Sequence, residues 1–131
     1  VANKNIISKL KRCSIPWRIN IAAQIIVEHM LGNNEYLTNS RELVRIEKEY
    51  LSNKLKEFDC FDVFPSVVNY LLIKMKKGCL SATELKRKLF DEGILIRDCS
   101  NFKGLNNRYF RIAVRTRKEN SQLIAAMKRI L

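Results

Sequence analysis

An arginine at position 111 stands in the middle of Tyr109–Arg115, a stretch with apolar residues at every second position. In a strand, successive side chains point to opposite faces, so positions 110, 112 and 114 should enter the core and Arg111 should face away from it. A guanidinium on rigid backbone suits a carboxylate or phosphate, because its planar fork donates two parallel hydrogen bonds. An edge-strand arginine that faces water would show the same pattern, and the strand alone leaves both interpretations open.

A second arginine, Arg97, ends the apolar stretch Ile94–Arg97, which we predict to be a strand. The polar residues 98–101 follow it directly. Strand ends that open into polar loops are common places for ligand contacts. Arg97 and Arg111 together are therefore candidates to bind a substrate that carries two negative groups.

Helical periodicity and turn residues predict the elements that must hold these arginines. In the first half we expect three helices, over about 5–11, through about 31 and over 39–58, the last capped by Asn39 with Glu42 reaching back. The apolar residues of the second helix cover most of its circumference, which predicts a well-buried helix.

The second half mixes strands with helices. Phe61–Phe64 and Val67–Lys74 are rich in β-branched and aromatic residues and are predicted strands. The spacing Ser81-x-x-Glu84 is a capping box that starts a helix ending near Gly93, and a second box at Thr116 opens the final helix. The chain is thus predicted to be α+β, with a small mixed or antiparallel sheet covered by helices.

The formal net charge of +12 is the strongest feature of the composition. A concentrated basic face would bind nucleic acid, and a nucleic-acid-binding module is the alternative from a different functional class. The lysines and arginines are scattered through almost every segment, however, so we expect a solvated basic surface and no nucleic-acid partner. The apolar runs are too short to span a bilayer and no signal peptide is visible, so we expect a cytoplasmic protein without a membrane partner.

The four cysteines, Cys13, Cys60, Cys79 and Cys99, are far apart and form no C-x-x-C pair. The chain has one histidine, His29, in an apolar helical stretch. Zinc sites need clustered ligands, so we predict no metal site, and we expect reduced thiols.

The run from Gly93 to Leu105, with the segment Arg108–Thr116, closely resembles the C-terminal region of threonine-phosphate decarboxylases. These enzymes belong with histidinol-phosphate aminotransferases in the fold-type I pyridoxal-phosphate superfamily. Further similar pieces occur in the same order, at Pro16–Asn20, at Phe64–Ser66 and at Asn69–Leu72, so the resemblance covers essentially the whole chain.

This resemblance implies an aminotransferase small domain over residues 1–131, with 1–17 as the tail of the large domain. It implies that Arg111 binds the α-carboxylate of a phosphorylated amino acid, and that Arg97 either helps to bind the distal phosphate or otherwise shapes the anionic pocket. The loop Arg97–Phe102 favours the decarboxylase of cobalamin biosynthesis, with histidinol-phosphate aminotransferase as the alternative. The parent enzyme is expected to be a homodimer.

One family element has no counterpart in this sequence. Family members form a Schiff base with pyridoxal 5'-phosphate through a lysine in a Ser-x-x-Lys type segment, followed by an arginine-containing stretch that holds the cofactor phosphate. Lys4, Lys9 and Lys11 lie in a different context. The resemblance therefore implies a fragment without catalytic or cofactor-binding residues, which should bind no cofactor and be inactive alone.

Overall fold

A computed structural model describes residues 3–13 and 19–131 of the chain. The chain forms two compact units that divide between Asn39 and Ser40. Part of the family resemblance lies outside the described residues, namely Pro16, Trp17 and Arg18. The domain boundary expected at residue 17 also lies outside them.

The first unit contains helix α1 (Lys4–Cys13), helix α2 (Ile21–Leu31) and the beginning of helix α3 (Asn34–Lys56). Asn20 caps α2, because its side-chain oxygen accepts a hydrogen bond from the Ala23 amide at 2.7 Å. The prediction that this helix is well buried is wrong: α2 has no buried residue, and Ile21 and Leu31 are 69% and 68% exposed. A helix that is apolar on every side needs partners on every side, and the described residues do not supply them.

Helix α3 begins five residues before the predicted start at Asn39. Its first turn is capped by Asn33, whose side-chain oxygen accepts a hydrogen bond from the Tyr36 amide at 2.9 Å. The predicted partner of the Asn39 cap, Glu42, instead accepts hydrogen bonds from Arg45. Both asparagines can cap a helix, and because nothing between them breaks a helix, the earlier cap defines the start.

The second unit holds a four-stranded antiparallel sheet with helices, which confirms the α+β fold. Its strands are β1 (Phe61–Val63), β2 (Tyr70–Met75), β3 (Arg97–Asp98) and β4 (Tyr109–Ala113), in the order β1-β2-β4-β3. The predicted strand 94–97 is shorter than expected, since only its last residue and Asp98 pair with β4. The two remaining helices are α4 (Ala82–Asp91) and α5 (Arg117–Ile130).

The core lies on one face of this sheet. The predicted alternation in β4 is confirmed, because Phe110, Ile112 and Val114 are buried. Helices α3, α4 and α5 contribute apolar side chains to the same core cluster, among them Leu51, Leu55, Leu85, Leu89, Ile124 and Met127. The opposite face of the sheet, which carries Arg111, is left for other contacts.

Both predicted capping boxes are present. Ser81 and Glu84 exchange hydrogen bonds at the start of α4, and Glu119 accepts from the amide and hydroxyl of Thr116 at the start of α5. After α4 the chain turns at Gly93, whose φ of 76° lies in the left-handed region that glycine adopts most easily. Residues within one helical turn thus define the starts of α4 and α5, and Gly93 marks the turn after α4.

A buried polar network connects α3 with α5 and with the end of β4. Glu47 is buried and accepts hydrogen bonds from Arg117 Nε at 2.9 and 3.1 Å and from Asn120 Nδ2 at 3.0 Å. Asn120 also donates to the Arg115 carbonyl at 2.8 Å and accepts from the Arg115 amide at 3.1 Å. The network therefore fixes the backbone just beyond the strand that carries Arg111.

Within the described residues, no helix combines the length and apolar character needed to cross a bilayer. The same residues contain no cluster of three or more potential metal ligands from histidine, cysteine, aspartate and glutamate.

Candidate anion-binding site

Arg97 and Arg111 lie directly opposite each other in the antiparallel pair of β3 and β4. Side chains of directly opposite residues project from the same face, with Cβ atoms about 5 Å apart. The two arginines, which are separated in the sequence by a strand end and a polar loop, are thus brought together. Two like charges in this position destabilise a sheet unless something compensates them, so the pair favours an anionic ligand.

The Arg111 guanidinium is oriented by an aromatic ring. Its central carbon lies 4.3 Å from the centroid of the Tyr70 ring, which faces it from β2. Within residues 3–13 and 19–131, this guanidinium donates no hydrogen bond. Stacking on a ring fixes the plane of the fork while its N–H groups stay available, which is the arrangement that bidentate binding of a carboxylate requires.

Arg97 is held by the loop that follows it. Its Nη2 donates to the side-chain oxygen of Asn101 at 3.1 Å, and its guanidinium lies 5.5 Å from the centroid of the Phe102 ring. Arg97 is exposed, whereas Arg111 is half-buried. The loop thus positions one side of the guanidinium and leaves its other donors for a ligand.

A third cation approaches from helix α4. The side chain of Thr83 donates to the Asp98 carboxylate at 2.6 Å, which ties α4 to β3. Burial alone would raise the pKa of Asp98, but the hydrogen bonds from the Thr83 hydroxyl and the Ser100 amide lower it below its usual value. Lys86 lies one helical turn beyond Thr83 and exerts its positive charge on the same carboxylate.

These groups border one cavity of about 430 Å³, open to solvent. Its wall is formed by Asn69, Tyr70, Lys86, Leu95, Ile96, Arg97, Arg111 and Ala113. The cavity size is within the range of small-molecule sites, and apolar walls with a few convergent charged groups are typical of them. Its wall carries three cations and no carboxylate, an electrostatic balance that suits a ligand with more than one negative charge.

A neighbouring cavity of about 410 Å³ shares part of this wall but has a different charge balance. Its charged residues are Arg115 and Glu119, whose side chains form an ion pair at 2.6 Å. Because the two charges neutralise each other, this cavity offers no comparable attraction for an anion.

Cys99 lies beside the two arginines but has the properties of a core residue. It is buried, and burial raises the pKa of its thiol, while the charges of Arg111 and Arg97 act in the opposite direction. A thiol with a raised pKa is a poor nucleophile at neutral pH, because the thiolate is the reactive form.

Sequence reasoning selected Arg97 and Arg111 but missed two of the groups around them. Tyr70 was assigned only to a strand, and its position under Arg111 follows from the β2–β4 register, which pairs Tyr70 with Ala113. Lys86 was one of many scattered lysines. Its place near the two arginines can be inferred only once the Thr83–Asp98 contact shows that α4 packs against β3.

No protein-family profile matches the chain. It is 37% identical, over 98% of its length, to a putative threonine-phosphate decarboxylase of Caldanaerobacter subterraneus, and 32% identical, over its whole length, to a histidinol-phosphate aminotransferase of Methanosphaera stadtmanae. The chain spans 34% and 36% of the lengths of these two relatives.

Two solved structures share its fold. The histidinol-phosphate aminotransferase of Clostridium acetobutylicum is 29% identical with a TM-score of 0.83 over 98% of the chain. The L-threonine-O-3-phosphate decarboxylase of Porphyromonas gingivalis is 31% identical with a TM-score of 0.78 over 99%. The chain covers 38% and 40% of these structures. The resemblance to both groups, predicted from the motifs around Arg97 and Arg111, is therefore confirmed.

Proposed function

We propose that this chain, a homologue of threonine-phosphate decarboxylases and histidinol-phosphate aminotransferases, supplies the substrate-anion site of a pyridoxal-phosphate-dependent L-threonine-O-3-phosphate decarboxylase. The carrying observation is the cross-strand pair of Arg97 and Arg111 on the wall of one cavity. A phosphorylated amino acid has the matching chemistry, because it bears a carboxylate and a phosphate on one small molecule.

The two arginines are proposed to divide these groups between them. Arg111, stacked on Tyr70 with its fork free, is suited to a planar carboxylate. Arg97, held at one side by Asn101 and open to solvent, is suited to the distal phosphate. The family resemblance assigns the same roles, and the geometry supports them independently.

Lys86 is proposed as a further contact to the phosphate. A phosphate monoester carries a charge of about −1.5 to −2 at neutral pH, which exceeds what Arg97 alone neutralises. Lys86 borders the same cavity from α4. A compact ammonium on a flexible stem meets phosphate oxygens as a point charge.

In the proposed enzyme, the cofactor and this chain would make different contributions to the reaction. Pyridoxal phosphate supplies the electron sink for a carbanion, and we assign it no contact within the described residues of this chain. Arg111 contributes by fixing the direction of the substrate carboxylate. By holding the substrate carboxylate in one direction, Arg111 would influence which bond at the substrate α-carbon reacts as well as how tightly the substrate binds.

For the domain organisation, we propose that residues 1–131 belong to the small domain of such an enzyme, with 1–17 as the tail of its large domain, and that the parent enzyme is a homodimer. Similarity along 98% of the chain to about a third of a relative supports a part of a larger enzyme. The partner we propose is a phosphorylated amino acid, and no observation favours nucleic acid.

Binding is tested on the 131-residue chain itself. Titration with L-threonine O-3-phosphate, followed by NMR, should shift the signals of Arg97, Arg111 and their neighbours, and threonine without phosphate should shift them far less. Replacing Lys86 by Gln should weaken binding of the phosphorylated ligand, whereas Arg87→Gln, on the exposed next position of α4, should not. Equal binding of both ligands would refute the anion site.

Activity is tested on the complete protein that contains this chain. Loaded with pyridoxal phosphate, it should release carbon dioxide from L-threonine O-3-phosphate. Efficient transamination of histidinol phosphate without decarboxylation would instead establish the alternative function. Arg111→Ala should lose roughly 1.5–3 kcal/mol for each hydrogen bond to the carboxylate, and Arg111→Lys should recover only part of it. An unchanged dependence on substrate concentration would remove the assignment of Arg111.

A further inference from the structure

Two of the four cysteines, Cys60 and Cys79, are brought to the same place by the backbone. The β1–β2 ladder pairs Phe61 with Met75 and continues one step further, where the Lys76 amide donates to the Cys60 carbonyl at 2.9 Å. The chain then turns, and the Cys79 amide donates back to the Lys76 carbonyl at 3.4 Å. Each cysteine is therefore one backbone hydrogen bond away from the same residue.

The two side chains differ in exposure, and they are close enough for Cys79 to act electrostatically on the Cys60 thiol. Cys60 is half-buried against the core, and Cys79 is exposed. Burial raises the pKa of the Cys60 thiol, and the neighbouring Cys79 raises it further. The pair thus combines a thiol open to solvent with a protected one directly behind it.

We propose that Cys60 and Cys79 form a reversible intramolecular disulfide, a modification site separate from the anion cavity. A disulfide needs Cα atoms about 4.4–6.8 Å apart. In an antiparallel ladder the N–H and C=O of a paired residue point to the same neighbouring strand. The Cys79 amide, which donates to the Lys76 carbonyl, therefore lies on the side of Lys76 that faces Cys60. This backbone arrangement brings the two cysteines together at the end of the β1–β2 ladder without unfolding it.

The exchange chemistry balances with a low-molecular-weight disulfide, such as glutathione disulfide, as the oxidant. The exposed Cys79 loses its proton to solvent, and its thiolate attacks one glutathione sulfur, so that the glutathione S–S bond breaks and one glutathione thiolate leaves. Cys60 then loses its proton and attacks the Cys79 sulfur of the mixed disulfide, and the second glutathione leaves as a thiolate. The raised pKa of Cys60 slows this step, but the attack is intramolecular and so proceeds at a high effective concentration. The two cysteines are oxidised by two electrons, and glutathione disulfide is reduced to two thiols.

The crosslink would connect the start of β1 to the turn before α4. That turn contains Gly78, with a φ of 88°, and leads directly into the capping box at Ser81. Oxidation would therefore restrain the point at which α4 leaves the β1–β2 hairpin, and reduction would release it.

The test is oxidation of the 131-residue chain with glutathione disulfide, followed by intact-mass and peptide analysis without reductant. In the expected product Cys60 and Cys79 have together lost two hydrogen atoms, carry no glutathione and are joined in one linked peptide, and dithiothreitol reverses the change. Cys60→Ser should stop the reaction at a glutathione adduct on Cys79. Cys13→Ser is the matched control, because Cys13 is also exposed, and it should leave the crosslink unchanged.

Three results would overturn the proposal. The first is a stable glutathione adduct on Cys79 in the unaltered chain. The second is a crosslink that involves Cys13 or Cys99. The third is modification of Cys13 under conditions in which Cys60 and Cys79 both stay reduced. Circular dichroism of the Cys60→Ser chain shows whether it is folded, and Cys79→Ser provides a second, solvent-exposed replacement that should also abolish the crosslink.

Discussion

Replacing Glu47 by Gln should destabilise the fold although the two side chains have almost the same volume. In the native protein both carboxylate oxygens accept from Arg117 Nε, and one of them also accepts from Asn120 Nδ2. A glutamine can orient its single oxygen toward Asn120 and keep that bond. Its NH₂ group then faces the Arg117 donor, and the charge-assisted bond is lost.

The expected magnitude follows from this difference. A hydrogen bond to a charged group contributes roughly 1.5–3 kcal/mol and a neutral one about 0.5–1.5 kcal/mol. The Arg117 side chain is 54% exposed, so solvent reduces the difference. We therefore expect Glu47→Gln to lower the free energy of unfolding by about 1.5 kcal/mol. Glu47→Ala removes the acceptor of Arg117 Nε and of one Asn120 N–H, while the other Asn120 N–H keeps the Arg115 carbonyl, and it should cost about 3 kcal/mol.

Urea unfolding followed by circular dichroism measures these differences. The matched control is Glu49→Gln on the same helix, because the Glu49 side chain is 69% exposed and lies 3.8 Å from Arg45 in a surface ion pair. It should change stability by less than about 0.5 kcal/mol. The reasoning is refuted if Glu47→Gln is as stable as the control, or if all three variants lose the same amount.

Three further predictions concern local signals and pH. Gly93→Ala should lower the free energy of unfolding by about 1–2 kcal/mol, because a φ of 76° is strained for alanine even though no atom lies within 4 Å of the added Cβ. Gly32→Ala, with a φ of −81°, should not show this loss. Thermal unfolding of the two variants measures the difference. Ser81→Ala should remove about 1 kcal/mol of α4 capping, and Ser52→Ala, inside α3, less than half of that. The hydrogen bonds from Arg115 and from its own cap lower the pKa of Glu119 from 4.5 to about 2. A carboxylate whose pKa is lowered by folding stabilises the fold at pH values above its unfolded pKa. The difference in free energy of unfolding between the native chain and Glu119→Gln should therefore be largest at pH 6 and should decrease as the pH falls from 4.5 to 2. A difference that does not depend on pH would contradict this.

Local signals in the sequence were sufficient where one short segment decides the outcome. The capping boxes at Ser81 and Thr116 predicted the starts of α4 and α5, because a cap involves only side chains and amides within one helical turn. The alternation around Arg111 predicted which side chains of β4 are buried, because the period of a strand is fixed by its backbone. The predicted start of α3 was wrong because Asn33 and Asn39 are both possible N-caps, and the local sequence does not distinguish between them.

The site needed more than local signals. Arg97 and Arg111 were both selected from the sequence, and the family motifs named the two groups of relatives to which the chain is similar. That the two arginines face each other across the β3–β4 pair depends on register, which a single strand does not contain. Tyr70 and Lys86 were missed for the same reason, since each approaches from a distant element.

By itself, then, the sequence predicted the fold class, the starts of α4 and α5, the buried face of β4 and the choice of the two arginines as candidates, because propensity, capping and alternation act over a few residues. Only the tertiary structure decided which side chains meet. It placed Arg97 beside Arg111 and Glu47 beside Arg117, and it joined Cys60 and Cys79 to Lys76 by backbone hydrogen bonds. Those contacts depend on strand order and on how helices pack against the sheet, which are set by the whole core at once.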